Sequence, residues 1–178
     1  FNKSVSTQHY WDFRYKMGGN SGSGSYGKLA EYKANIINDF IMKNSIKSVI
    51  EFGCGDGNQL KYIKCPKYIG YDISDQAINI CKSKFSNDTT KKFFLMSEYK
   101  GEKADLSISL DVIFHLLEED LYNDYLNRLF DSTNKYVIIY SSNINKNINS
   151  LHVRHWKFTD WVYKYKKEFT LLEYIPNK

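Results

Sequence analysis

Proline is nearly absent from this chain: Pro66 and Pro176 are the only two in 178 residues. A chain so poor in proline has no proline-rich linker to divide it, and its length suits one domain with a layered core. Cysteine is also sparse. Cys54, Cys65 and Cys81 form an odd set with no C-x-x-C pair. That argues against a disulfide framework or a zinc ribbon and favours a reducing compartment, the cytoplasm. No apolar run approaches the ~18 residues of a membrane span, and no secretory leader is visible. Internal repeats and low-complexity tails are missing too. The net charge of +5 is scattered, apart from Lys164, Lys166 and Lys167, which read as the solvated face of a helix. Scattered positive charge suits an anionic small ligand, a nucleic acid or no special partner.

Hydrophobic residues make up 42 % and charged residues 25 %, an ordinary globular balance. Apolar periodicity divides the chain into alternating elements. Residues 4–17 read as a short aromatic helix and 27–44 as an amphipathic helix carrying Leu29, Ile36, Ile37, Phe40 and Ile41. Strands are expected at 48–52, 67–73, 92–96, 104–110, 136–141 and 169–175, and helices at 58–64, 75–85, 118–131 and 158–167. Strands alternating with helices imply right-handed crossovers and a mostly parallel α/β sheet covered on both faces. Ligands of such sheets bind beyond the carboxyl ends of the strands.

The loop after the first strand is EFGCGDGN, with Gly53, Gly55 and Gly57 at alternate positions. Such a loop turns sharply and lets a ligand lie against its backbone. A dinucleotide loop would place its third glycine where Asn58 stands, and a P-loop would need Gly-Lys-Ser/Thr. Glu51 precedes the first glycine, and Asp72 ends the next strand 21 residues later. A strand-terminal acid there is placed to accept hydrogen bonds from ribose hydroxyls. The alternative is that Asp72 caps the following helix, a task open to Ser74 as well.

IEFGCGDGNQL followed by YIGYDIS resembles the class I S-adenosylmethionine-dependent methyltransferases, most closely over residues 27–141. The resemblance implies a Rossmann-like, doubly wound, mostly parallel sheet, with a final antiparallel strand that this sequence leaves open. It implies one domain over residues 1–178, with 1–26 an N-terminal cap and Gly/Ser lid and 27–178 the core. S-adenosylmethionine would be the cofactor and S-adenosylhomocysteine the product. Gly53, Gly55, Asp56, Gly57 and Asn58 would cradle the methionine part, and Glu51 would hold its amino end. Asp72 would bind the ribose and Ile73 would pack on the adenine. Met96, Ser97 and Glu98 are the counterparts of a polar residue near the adenine amine. Leu110 and Asp111 would border the transferred methyl group.

The loop SLDVIFHLLEED lacks both Asn/Asp-Pro-Pro-aromatic and Pro-Cys, which the resembling base-modifying enzymes carry. His115 in this loop has three readings: general base for a hydroxyl acceptor, substrate contact, or hydrogen-bonded structural histidine. Residues 143–157 are long for a connection, and they gather His152, Arg154, His155 and Trp156. They read as a positive wall facing an anionic substrate or as a solvated segment. No H-x-x-x-H supports a metal site. HYWDFRYKMGGNSGSGSYG resembles the cap of small-molecule methyltransferases. Trp11 and Arg14 are candidates for the cofactor, and Tyr15, Ser25 and Tyr26 for the substrate. Its Gly/Ser run reads either as a linker or as a lid.

The expectation is methyl transfer to oxygen of a small, anionic or sugar-like molecule. The lead-in and VRHW resemble bacterial methyltransferases of surface-polysaccharide (capsule) biosynthesis, some acting on sugars and some on a phosphoramidate. RNA methylation and a non-catalytic cofactor-binding domain are the alternatives.

Overall fold

A computed structural model describes residues 6–146 and 152–176. Five strands form one sheet: β1 (Val49–Phe52), β2 (Tyr68–Asp72), β3 (Lys91–Leu95), β4 (Ala104–Leu110) and β5 (Thr133–Tyr140). Their order is β3-β2-β1-β4-β5, and every pair is parallel. The order reverses between β1 and β4, so the cleft beyond these two strands is where a doubly wound sheet takes its ligand.

The helices are α1 (Thr7–Lys16), α2 (Gly27–Lys43), α3 (Asp75–Lys84), α4 (Glu119–Asp131) and α5 (Phe158–Tyr165). Alternation along the strands gives the sheet two apolar faces. One packs Ala34, Ile37 and Ile41 of α2 and Ile78 and Cys81 of α3 against Val49, Leu106 and Ile108. The other packs Tyr122, Leu126 and Leu129 of α4 and Trp161 of α5 against Ile50, Phe52 and Tyr71. Burying both faces explains why the strands read as continuous apolar runs.

Three expectations fail. Residues 58–64 make only a short 3-10 turn, Gln59–Tyr62, because the segment is anchored through side chains. Asn58 donates to Ser25 O, and Gln59 donates to Ala30 O. Residues 169–175 are not a strand. Among the described residues they have no sheet partner, which leaves Leu171, Leu172 and Tyr174 exposed and β5 at the edge of the described sheet. The lysine run is not wholly solvated either: α5 stops at Tyr165, and Lys166 is buried in an ion pair with Asp131.

Candidate active site

β1 delivers its chain into the glycine loop. Gly53, Gly55 and Gly57 all adopt positive φ. Gly55 is the tightest of the three. A Cβ there would lie 2.3 Å from Ser21 Oγ and 3.0 Å from the Tyr15 hydroxyl, so only glycine fits. The six N–H groups from Gly53 to Asn58 are all engaged within the protein. Gly53 and Cys54 donate to Tyr71 O, and Gly57 donates to Cys54 O. Gly55 donates to Asp72 Oδ2, Asp56 to Ser21 Oγ and Asn58 to Asp56 Oδ1. The loop therefore offers a shaped surface and no free amide cluster for a phosphate.

Two buried acids flank it. Asp72 ends β2 and accepts from the Gly55 and Ser74 amides. The Ser74 side chain, not Asp72, caps α3, accepting from Ala77 N. Burial raises the Asp72 carboxyl from 3.8 to about 6, against the pull of the Ser74, Gly55 and Ile73 amides. Glu51, on β1, accepts from the Tyr68 hydroxyl. Burial lifts it from 4.5 to about 7, and Tyr68 and Lys33 partly offset that rise. Both acids are thus poised to gain from a cationic or hydroxyl donor.

Lys33 escapes sequence reasoning. It lies on the apolar stripe of α2, with its side chain 1 % exposed, and pairs with Asp111 Oδ2 at 2.5 Å. Asp111 follows buried Leu110 at the end of β4 and holds a left-handed φ of 61°. A charged side chain four residues after Leu29 and four before Ile37 was the signal available. Gly24 approaches the same carboxylate; a Cβ there would stand 2.5 Å from Asp111 Oδ2.

The Gly/Ser run is folded onto the glycine loop. Ser21 N and the Tyr26 hydroxyl both donate to Asp56 Oδ2, at 3.1 and 2.6 Å. Burial opposes the charge on Asp56, but these bonds and the Asn58 amide hold its pKa below 3.8. Ser25 contributes its carbonyl to Asn58. The Tyr15 hydroxyl meets Ser21 Oγ at 2.9 Å. Arg14 turns to the Asn20 carbonyl and the Tyr10 hydroxyl, with its guanidinium over Trp11.

His115 ends a 3-10 turn, Ile113–His115, beyond β4. Its Nδ1 lies 3.0 Å from His152 O. A carbonyl only accepts, so Nδ1 carries the hydrogen and the neutral ring presents Nε2 as an acceptor. Burial lowers its pKa below 6.5, outweighing the His152 carbonyl and the Asp111 charge, which favour protonation. Trp11 meets the ring edge-on at 5.0 Å, and Tyr10 stacks on His152 at 4.2 Å. Thr7, Tyr10, Trp11, His115, Leu117 and His152 close around a cavity of about 10 Å³.

The wall expected at 143–157 is built partly of anchors, and its residues 147–151 lie outside those described. Arg154 donates to Leu117 O and stacks on Trp156. Trp156 donates to Leu116 O, and His155 Nδ1 contacts Ser142 Oγ at 2.6 Å. The Arg154 and Trp156 bonds fix the loop that carries His115. Beyond β2, Ile73 is half-buried. Ser97 and Glu98 are exposed in the turn after β3, where Glu98 accepts from Leu95 N. Among the described residues, no three His, Cys, Asp or Glu side chains converge to hold a metal ion. No helix there is long and apolar enough to cross a membrane.

Comparison with known proteins gives the arrangement its family. The family model described as a methyltransferase domain matches residues 27–176. No curated protein matches the chain significantly. The fold is similar to the methyltransferase domain of a bacterial Hen1 (20 % identity, TM-score 0.60), over 79 % of this chain and 86 % of that one. It is similar to the N-methyltransferase NodS of Bradyrhizobium japonicum bound to S-adenosylhomocysteine (11 %, TM-score 0.58), over 71 % and 67 %. It is also similar to CalS10 of Micromonospora echinaspora, an amino pentose methyltransferase with S-adenosylmethionine bound (13 %, TM-score 0.54), over 66 % and 54 %. With the family model matched over most of its length, the chain belongs to the methyltransferase domain family.

Proposed function

We propose that this chain binds S-adenosylmethionine and methylates a hydroxyl of a small, anionic or sugar-like acceptor, leaving S-adenosylhomocysteine. One observation carries the reading. Two buried acids, Glu51 and Asp72, flank a glycine loop at the ends of β1 and β2, and a neutral, oriented imidazole stands beyond β4. The loop's engaged amides favour a cofactor without phosphates over a dinucleotide. The acids suit the donors of that cofactor: Glu51 an ammonium group, Asp72 a ribose hydroxyl. Ile73, Ser97 and Glu98 would border the adenine, and Leu110 and Asp111 the reacting end. Trp11 and Arg14 of the cap would lie toward the cofactor's methionine end.

Bound, the cofactor supplies a sulfonium methyl group open to in-line displacement. His115 accepts the hydroxyl proton at Nε2, while its Nδ1–H stays on His152 O. We assign α1 and residues 18–27 to a cap and lid of a single domain, with Tyr15, Ser25 and Tyr26 on its inner side. His152, Arg154 and His155 line the acceptor side.

The acceptor class we favour is a sugar or phosphoramidate of bacterial surface polysaccharide, made in the cytoplasm. The W-x-x-R-Y and VRHW patterns support it, and CalS10 is a sugar-directed enzyme of similar fold. The test is incubation with S-adenosylmethionine and a panel of nucleotide-linked sugars and phosphorylated metabolites. The expected result is S-adenosylhomocysteine together with an acceptor one methylene heavier. Methylated RNA instead of a methylated metabolite would move the acceptor to nucleic acid. Tight NAD binding without S-adenosylmethionine binding would overturn the reading.

A further inference from the structure

The Gly/Ser run meets the body of the domain on two acids. Ser21 N and the Tyr26 hydroxyl donate to Asp56 Oδ2, and Ser21 Oγ accepts from Asp56 N. Between those feet, Ser23–Ser25 form a 3-10 turn whose Gly24 lies against Asp111. Asp56 belongs to the loop after β1, and Asp111 directly follows β4. These strands are neighbours, and the strand order reverses between them, so ligand lies beyond them. Residues 21–26 therefore arch from one side of the ligand cleft to the other.

The contact at Asp111 is a built one. Gly24 does not share the left-handed φ of Gly22 and Gly27, so its backbone would suit alanine. Asp111 is what excludes a side chain: a Cβ on Gly24 would stand 2.5 Å from Oδ2 and 3.0 Å from Cγ. The carboxylate is held in place from below. Lys33 Nζ pairs with Oδ2 at 2.5 Å and lies 5.0 Å from the centroid of the Tyr140 ring, and Asp111 N donates to Tyr140 O. Burying an ion pair often gains nothing over apolar side chains of similar size, and the left-handed φ of Asp111 costs energy as well. Stability alone does not account for the pair; a task at the cleft does. Resting on the cofactor and lid readings above, we infer that Lys33 is a positioning residue for ligand exchange. It fixes the Asp111 carboxylate as the seat of Gly24, and the lid is shut only while that seat is made. Ligand enters and leaves when Gly24 lifts from Asp111 and the run swings on its feet at Asp56.

Stopped-flow tryptophan fluorescence of S-adenosylhomocysteine binding to the whole chain tests this, in wild type, Gly24→Ala, Lys33→Met and the double variant. Each single variant should raise both the association and the dissociation rate several-fold, because an unseated lid obstructs passage less in both directions. The double variant should be no faster than the faster single one, since both substitutions undo the same contact. Limited proteolysis of the unliganded proteins should cut within residues 18–27 several-fold faster in both single variants. Unchanged rates in Gly24→Ala overturn the inference. So does faster dissociation with unaltered association, which marks a lost ligand contact, and so do single effects that multiply in the double variant. Gly24 lies outside both apolar cores, so Gly24→Ala decides by itself if Lys33→Met does not fold. If wild type binds no S-adenosylhomocysteine, the cofactor reading falls and takes the exchange role with it. Unchanged cleavage of Gly24→Ala overturns the seat at Asp111 whatever the ligand.

Discussion

Glu51→Gln should make the unliganded protein more stable at neutral and alkaline pH while weakening its hold on cofactor. Glu51 is fully buried, and burial lifts its carboxyl from 4.5 to about 7 despite the Tyr68 hydrogen bond and the Lys33 charge. Between those two values the folded protein keeps a proton that the unfolded chain has released. Stability therefore falls as pH rises through that window, and above about 7 the whole cost is present. The rise is worth about 3 kcal/mol. Glutamine keeps the shape, can still accept from Tyr68 and carries no charge. In urea titrations followed by tryptophan fluorescence, the variant should match wild type near pH 4.5 and exceed it by about 3 kcal/mol at about pH 8. In thermal melts that gain is roughly 6–12 °C for a chain of this size. Cofactor affinity should move the other way, because the acceptor for an ammonium group has lost its charge. A variant less stable than wild type at about pH 8 would refute the reasoning, and would mean that the pull of Lys33 outweighs burial.

His115→Ala should cut turnover by about a hundredfold or more and leave S-adenosylhomocysteine affinity nearly unchanged; normal turnover would exclude it as the base. In wild type saturated with cofactor, turnover should fall with acid only below about 6.5, since burial sets the His115 pKa under that value. Asp56→Ala removes the acceptor of Ser21 N and the Tyr26 hydroxyl. Limited proteolysis should then cut within residues 18–27 several-fold faster than in wild type. An unchanged cleavage rate would show that the Gly/Ser run is held by other contacts.

The strand and helix order was legible because burial on both faces of the sheet leaves long apolar runs bounded by glycine and polar turns. FTLLEYI misled, because its composition fits a strand but no partner strand among the described residues stands beside it. Sequence records propensity, and pairing is a matter of tertiary geometry. Glu51, Gly55 and Asp72 stand out as candidates because they lie at or just after strand ends. Lys33 could not be found that way, since it acts across the fold, from α2 onto Asp111. A lysine on an apolar helical stripe is a visible anomaly, but its partner 78 residues away is not. Arg154 has a role in the fold that its sequence position does not reveal. Its type and neighbours mark it as a candidate anion ligand, and in the fold its guanidinium also braces the loop of His115.

The most direct test of the central claim is isothermal titration of S-adenosylhomocysteine into wild type and Asp72→Ala. Saturable binding at one site per chain, weakened at least about tenfold by the substitution, is what the two-acid cleft predicts. No binding to wild type, or equal binding to both proteins, would contradict it.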